Sequence, residues 1–405
     1  MRLLAPFAGT VVTAAAADQT VSAGDPVVVI EAMKMEHEIV AERDAVVAEL
    51  AVTPGDAVIE GQLLVVLVAG SGAVDSAADG APPADEAADN VTAVANPAPG
   101  ERDDLRAVHE RHEIGLDHRR PEAVGRRHDR GRRTARENLA DLLDPGSLVE
   151  YGPLMFAAQE QRRPREELIE RTPADGLVGG VGEINAERVV AMSYDYTVLA
   201  GTQGMRNHQK KDRLFELAHR RRLPVVLFAE GGGGRPGDVD MPIVAGLDCR
   251  AFGLFAQLSG LVPLIGIASG NCFAGNAALL GCCDVVIATE DASIGMGGPA
   301  MIEGGGLGRY APGEVGPIDV QYGNGVVDLR VADDASAVAA AKRYLGYFAR
   351  SLPAEPPRVP DQDRLRELIP ANRKRVYAVR DVISTLFDED SVLELRSGFA
   401  AGMVT

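Results

Sequence analysis

"VVVIEAMKMEHEIVAERDAVV", residues 27–47, sets β-branched residues against acids on either side of a lysine flanked by two methionines. The chain has only five lysines, and this one, Lys34, falls at a predicted hairpin tip between Met33 and Met35. Around it, residues 1–69 alternate short Val/Ile/Leu runs with Gly-Asp turns, the pattern of a small all-β module. "VSAGDPVVVIEA" (21–32) is echoed by "VTPGDAVIEGQLLVVL" (52–67), so Gly24-Asp25 and Gly55-Asp56 occupy matching turns. Two similar half-modules predict a flattened barrel with approximate twofold symmetry, the hairpin projecting at one end. A turn lysine is ordinarily a solvated charge. Two exposed methionines beside it cost solubility and call for a reason.

A chain of 405 residues predicts two or three domains, and 46% hydrophobic residues can fill their cores. The net charge of −18 argues against a general nucleic-acid binder. Cys249, Cys272, Cys282 and Cys283 lie in apolar segments without metal-ligand spacing, which predicts reduced, buried thiols of a cytoplasmic protein and no metal site. Met1–Pro6 lacks the basic flank and long apolar core of a signal peptide, so secretion is not expected. The least polar stretch, Leu254–Cys283, is interrupted by Gln257, Ser259, Pro263, Ser269, Asn271 and Asn276. Buried strand, turn and helix fit it better than a membrane span.

Residues 70–100 are Ala, Pro, Gly and acid with almost no large apolar groups, a composition that cannot offset its ordering entropy. They predict a flexible linker spanning roughly 30 Å root-mean-square, an inert spacer or a tether for a swinging module. From 101 the character changes. In "TARENLADLLDPG" (134–146), Thr134 and Glu137 form a capping box, Leu139, Leu142 and Leu143 mark a buried face, and Pro145-Gly146 end the helix. Beyond it, "RVVAMSYD" (188–195), "LPVVLFAE" (223–230), "LVPLIGIAS" (261–269) and "CDVVIAT" (283–289) read as strands, with "KDRLFELAHRR" (211–221) as a helix. This alternation predicts an α/β domain with helices on a largely parallel sheet. After a Pro-rich break at 352–360, "DVISTLFDEDSVLE" (381–394) aligns without gaps to "ENLADLLDPGSLVE" (137–150). A second copy of the large domain is therefore expected to begin near 361, with chance similarity of two amphipathic helices as the alternative.

Two glycine-rich loops follow apolar strands directly. "FAEGGGGRPGD" (228–238) carries four consecutive glycines, which let backbone N–H groups approach a ligand. "SGNCFAGNAALLGCCD" (269–284) leads into a helix predicted to begin near Gly275, with unpaired N–H donors at its start. Neither loop has the Gly-Lys-Ser/Thr ending of a phosphate-cradling loop.

Glu31, Ala32, Met33, Lys34 and Met35, with "APFAGTVV" at 5–12, resemble the biotin-attachment motif of biotin carboxyl carrier domains. Lipoyl carriers share that fold but normally lack methionine on both sides of the lysine. The glycine loops, together with 131–150, 175–204 and "GGPAMIEGGGLG" (297–308), resemble the carboxyltransferase component of biotin-dependent acyl-CoA carboxylases, of the crotonase superfamily. The order of the two resembles the C-terminal portion of single-chain acyl-CoA carboxylases. The implied domains are a carrier at 1–69, a linker at 70–100, a first crotonase-like half at 101–350, and an interdomain break with the start of a truncated second half at 351–405.

The resemblance implies transfer of CO2 from biotin held covalently on Lys34 to the α-carbon of an acyl-CoA, through an enolate stabilised by backbone N–H groups. Gly275 and its neighbour Ala274 fall where the superfamily presents one donor. The family's Ser-Gly-Gly-Ala-Arg corresponds to Gly231 through Arg235; Gly231 replaces the serine and Gly234 the alanine. Which of Gly232, Gly233 and Gly234 points its N–H inward stays open. The family's biotin takes the α-proton itself, so no Asp or Glu base is required and Glu230 is expected to be structural. Crotonase-type hydratases carry a glutamate where this chain has Ala278. Lys210 matches a lysine after the "TQG"-like turn (202–204) and is either a CoA phosphate contact or a helix-surface charge. Arg235 is either a phosphate or carboxylate contact or a loop anchor.

Three readings follow: biotin carrier plus carboxyltransferase; a carrier and assembly subunit catalytically incomplete by itself; a crotonase-type hydrolase or isomerase with an unrelated β module. The family's sites lie between the first half of one subunit and the second half of another, which implies at least a dimer, homo- or hetero-oligomeric. The implied partners are a biotin ligase, a biotin carboxylase domain or subunit, and the C-terminal carboxyltransferase half. No ATP-grasp segment precedes the carrier, so carboxylation of biotin is expected to occur elsewhere.

Overall fold

The computed structural model describes residues 2–6, 9–17, 19–32, 35–41, 43–59, 61–68, 102–235, 237–240, 249–349, 356–400 and 402–405. They belong to two compact units, Met1–Val94 and Ala95–Thr405. The linker expected at 70–100 lies outside the described residues, as do Met33 and Lys34.

Among the described residues the first unit has eight strands in two four-stranded antiparallel sheets. One runs Arg2–Leu4, Leu63–Val68, Ala45–Leu50, Thr20–Val21; the other runs Met35–Val40, Pro26–Ala32, Gly9–Ala14, Ala57–Val58. Both contribute to one core that includes Val11, Val28, Ile30, Val47, Leu64 and Leu67. The sequence echo is a structural one. Gly24 and Gly55 have φ of +95° and +98°, a conformation that favours glycine. Their N–H groups donate to Ala41 O and Val11 O, each at 2.8 Å. Asp25 Oδ2 accepts the Ser22 N–H and Asp56 Oδ2 the Thr53 N–H, again at 2.8 Å each. Between the copies the hairpin pairs Glu31 with Glu36 and Ala32 with Met35.

In the second unit we label β1 (Val149–Glu150), β2 (Leu177–Ile184), β3 (Glu187–Tyr194), β4 (Val225–Phe228), β5 (Leu264–Ala268), β6 (Val285–Thr289) and β7 (Leu329–Val331). They form one sheet whose spatial order is their chain order. β1–β3 are antiparallel and β3–β7 parallel. Parallel strands are covered on both faces, so consecutive residues are both apolar. Val190, Met192, Val225, Leu227 and Leu264 face one core, packed on Leu214, Phe215 and Ala218 of a long helix. Val189, Ala191, Val226, Phe228, Ile265 and Ile267 face the other, with Leu139, Leu142, Val338 and Ala341. The covering helices are α1 (Ala135–Leu142), α2 (Met205–Arg221), α3 (Gly275–Gly281) and α4 (Asp334–Gly346).

α1 carries the expected capping box: Thr134 Oγ1 accepts the Glu137 N–H at 3.1 Å and Glu137 Oε2 the Thr134 N–H at 2.7 Å. α2 begins six residues before the expected 211. Asp238 Oδ2 accepts the Met205 N–H at 2.9 Å and Asp175 Oδ2 the Asn207 N–H at 2.6 Å, so carboxylates remote in sequence cap it. Leu254–Cys283 resolves into the end of a short helix (Ala251–Ala256), β5, a short strand (Asn271–Phe273) and α3. No helix among the described residues is long and apolar enough to cross a membrane. None of the four cysteines is in a disulfide, and the expectation of four buried thiols needs correction. Only Cys272 is fully buried, while Cys249, Cys282 and Cys283 sit at the margins of the core.

The second echo is also visible. Val379–Leu386 is an eight-residue helix at the same offset as α1. Arg136 Nη1 pairs with Glu150 Oε2 at 2.9 Å, and Arg380 Nε bonds Glu394 Oε2 at 2.9 Å, each pair crossing from helix to following segment. The copies differ in cover: Leu142 and Leu143 are buried, whereas the matching Leu386 and Phe387 are each 51% exposed. Ala378 stands where Thr134 caps α1. Replacing Thr134 by Ala should lower stability by about 1 kcal/mol, as for other capping residues, measured by urea unfolding.

Candidate functional site

Parallel pairing of β4 with β5 carries both glycine-rich loops to the same end of the sheet. There Gly231 bridges Cys272: the Gly231 N–H donates to Asn271 O at 2.7 Å and the Phe273 N–H to Gly231 O at 2.9 Å. On the other side the Gln203 N–H donates to Gly233 O at 2.7 Å and the Arg235 N–H to Gln203 O at 2.9 Å. The glycine loop is thus zipped between two neighbours.

The fate of each candidate amide follows. Gly232 N–H donates to Ala200 O at 3.0 Å, Gly233 N–H to Asn276 Oδ1 at 3.2 Å, and Ala274 N–H to Gly295 O at 2.9 Å. Those three are committed to the fold. Gly234 N–H and Gly275 N–H have no acceptor among the described residues. The loops touch where Gly233, at φ +90°, approaches Ala274; a Cβ added to Gly233 would lie 2.6 Å from Ala274 Cβ. Ala274 itself has φ +51° and ψ −119°, a strain on the order of 1–3 kcal/mol held by its neighbours. Two unpartnered N–H groups on adjacent loops can stabilise a developing oxyanion.

The charged candidates face inward. Arg235 bonds Asp175 Oδ1, Thr202 O at 2.9 Å, Thr202 Oγ1 at 3.2 Å and Asp238 Oδ2 at 3.5 Å, which makes it a loop anchor as placed. Glu230 is chelated by Arg127 at 3.1 and 2.8 Å, with Arg132 at 3.9 Å, the structural role expected of it. Lys210 is 1% exposed, and its ammonium donates to Leu177 O and, at 3.5 Å, to Gly152 O. It is not the solvated helix charge considered from sequence, and as placed it has no surface to offer a CoA phosphate. Met35 opens a carrier strand, and Met33 and Lys34 lie outside the described residues.

Sequence reasoning missed the polar groups behind the loops. Lys211 is fully buried, donating to Tyr194 Oη at 2.7 Å and Gln203 Oε1 at 3.1 Å. Burial pushes its ammonium down to about 7. His208, one turn earlier, meets Cys249 Sγ at 3.5 Å and is pushed down to about 3 by burial, then by Lys211 and Arg235. Asn276 is buried too, with Nδ2 donating to Gly201 O at 3.3 Å. Its only sequence signal is its position directly after Gly275.

Residues 126–405 match the carboxyl transferase domain family, and residues 2–67 match the biotin-requiring enzyme domain. The methylmalonyl-CoA carboxyltransferase 12S subunit of Propionibacterium freudenreichii subsp. shermanii is 31% identical over 70% of this chain and 54% of its own length. Among solved structures, a single-chain, multi-domain long-chain acyl-CoA carboxylase shows 50% identity and a TM-score of 0.71, covering 100% of this chain and 38% of that one. The transcarboxylase 12S hexamer with hydrolysed methylmalonyl-CoA shows 29% identity and a TM-score of 0.62, over 74% of this chain and 59% of that one. The chain spans about half the length of the curated relatives it matches.

His208 is neutral in the folded protein above about pH 3, whereas an unfolded histidine takes up its proton near 6.5. Between those values the unfolded chain binds more protons, so stability rises with pH and this contribution is complete above about 6.5. His208→Met should flatten urea-derived stability over that window by a difference on the order of 4 kcal/mol. An unchanged slope would show that the imidazole titrates normally.

Proposed function

The chain belongs to the carboxyl transferase domain family and carries a biotin-requiring domain at its amino end, and from this premise we propose that it is the carrier and carboxyltransferase portion of an acyl-CoA carboxylase. Its α/β unit is read as the first crotonase-like half. The observation that carries the reading is the pair of uncommitted amides, Gly234 N–H and Gly275 N–H, at the carboxyl ends of adjacent parallel strands.

The carrier's residues fit covalent biotin. Strand pairing closes at Ala32 opposite Met35, so the connection between them is Met33-Lys34, and the Lys34 amine is the group able to form an amide. Biotin bound there supplies a transferable carboxyl group. The other unit then has to hold the acyl-CoA thioester while its α-carbon becomes nucleophilic. Gly234 and Gly275 N–H receive the thioester oxygen, each contributing about 3–4 kcal/mol by analogy with other oxyanion donors. Gly232, Gly233 and Ala274 keep those two in place through bonds to Ala200, Asn276 and Gly295. Glu230, chelated by Arg127, is not available as a base.

The second reading, a chain catalytically incomplete alone, has its own support. The helix Val379–Leu386 repeats α1 with its ion pair, yet Leu386 and Phe387 lack the cover of Leu142 and Leu143. Activity accordingly requires the second carboxyltransferase half, from the same or another polypeptide, in an oligomer. A biotin ligase and a biotin carboxylase domain or subunit complete the set of partners. The hydrolase or isomerase reading is the least favoured: Ala278 stands in place of the hydratase glutamate, and a biotin-requiring domain is attached.

Co-expression with a biotin ligase should add one biotin to the intact mass of the wild-type chain and none to Lys34→Arg. Carboxyl transfer, assayed across acetyl-, propionyl- and longer acyl-CoA, should appear only when the second carboxyltransferase half is added. A wild-type chain left unmodified by an active ligase would sink the proposal. In the complemented enzyme, Gly233→Ala should cost about 10²-fold in kcat, because its Cβ drives the oxyanion loops apart. Adding Ala274→Gly removes the opposing Cβ and should recover part of that loss; a double variant no better than the single one would assign the defect elsewhere.

A further inference from the structure

Resting on the oxyanion reading above, we propose that Lys211 is a positioning residue whose ammonium, acting through Gln203 and Asn276, orients Gly233 and with it the free amide of Gly234. An ammonium has three donors and no acceptor, so the group facing it must be an oxygen. Lys211 Nζ donates to Gln203 Oε1 at 3.1 Å. That leaves the Gln203 NH2 pointing away, and its Nε2 donates to Asn276 Oδ1 at 3.3 Å. Asn276 is thereby turned so that the same Oδ1 accepts the Gly233 N–H at 3.2 Å, while its Nδ2 donates to Gly201 O at 3.3 Å. Every amide in the chain is polarised by the charge at its head. All of it is buried, so no solvent can substitute for a partner.

An uncharged amine at position 211 has a lone pair and can accept. Gln203 is then free to turn its NH2 toward Lys211, and Asn276 to turn its own NH2 toward the Gly233 N–H. A neutral amine keeps two N–H donors, so the original orientation is permitted but no longer enforced; in the flipped fraction two donors face each other at Gly233 and its amide moves. The surroundings make the charge state responsive. Tyr194 on β3 accepts from the ammonium, and the titratable groups that act on it through charge are Cys249, Asp175 in its pair with Arg235, and Asp212 from the same helix, while the ammonium in turn disfavours a charge on His208. Asp238 lies behind Arg235. Burial holds the ammonium near 7, within reach of ordinary pH changes.

The test couples two NMR titrations on the full chain. Lysine is labelled at 13Cε, where five lysines give a short list of signals, and the Gly233 amide is followed by 15N-glycine TROSY. Both should titrate with one midpoint, and in Lys211→Met the Gly233 amide should become pH-independent. Tyr194→Phe, which keeps the core but removes an acceptor of the ammonium, should lower both midpoints together. A Gly233 amide that is flat with pH in the wild type overturns the proposal, as does one that stays put while the lysine moves. In the complemented enzyme, kcat should fall as pH rises through the same midpoint, and this limb should be missing in Lys211→Met. Absence of any carboxyl transfer would count against the functional reading alone, since the titrations do not depend on turnover.

Discussion

The proposed site depends on two backbone N–H groups without a protein acceptor among the described residues, that of the exposed Gly234 and that of the half-buried Gly275. Both stay open to a ligand while the amides of Gly233, Arg235 and Ala274 beside them are held. Gly232 is tied to Ala200, Gly233 to Asn276, and Ala274 to Gly295. The strained backbone of Ala274 is part of the same arrangement, since the short strand pair Asn271–Phe273 with Ser293–Gly295 holds it open.

That rigidity is built from charges buried behind the loops. Arg235 with Asp175 and Asp238, Arg127 with Glu230, and Lys210 on two carbonyls are arranged so that each ion has specific partners. Such pairs contribute modestly to net stability, because desolvation offsets much of the attraction. Their value lies in direction: a chelated guanidinium admits one geometry. Removing one partner leaves the other uncompensated, so this polar layer tolerates change less well than the apolar cores on either side of the sheet.

Local features were legible in the sequence. The capping box of Thr134 and Glu137, the matched Gly-Asp turns and the apolar strand runs each depend on residues close in the chain. Other features depend on distant partners. Helix α2 starts at Met205 because Asp175 and Asp238 cap it from other loops, which no window around 205 reveals. Lys210 and Lys211 look like solvated helix charges by residue type and turn out to be interior. Which of the Gly232, Gly233 and Gly234 N–H groups are bonded within the fold depends on the oxygen that stands opposite each, and the sequence does not show it. The echo at 381–394 was visible as an alignment, and the structure added the Arg380–Glu394 pair to it.

The strands of the large sheet lie side by side in the order in which they occur in the chain. Each therefore docks against a neighbour that has already left the ribosome, and no gap has to be held open for a later segment. Such a sheet can assemble vectorially, edge by edge, during synthesis at about 5–20 residues per second. The two glycine-rich loops, which follow β4 and β5, would be in register before β7 is made.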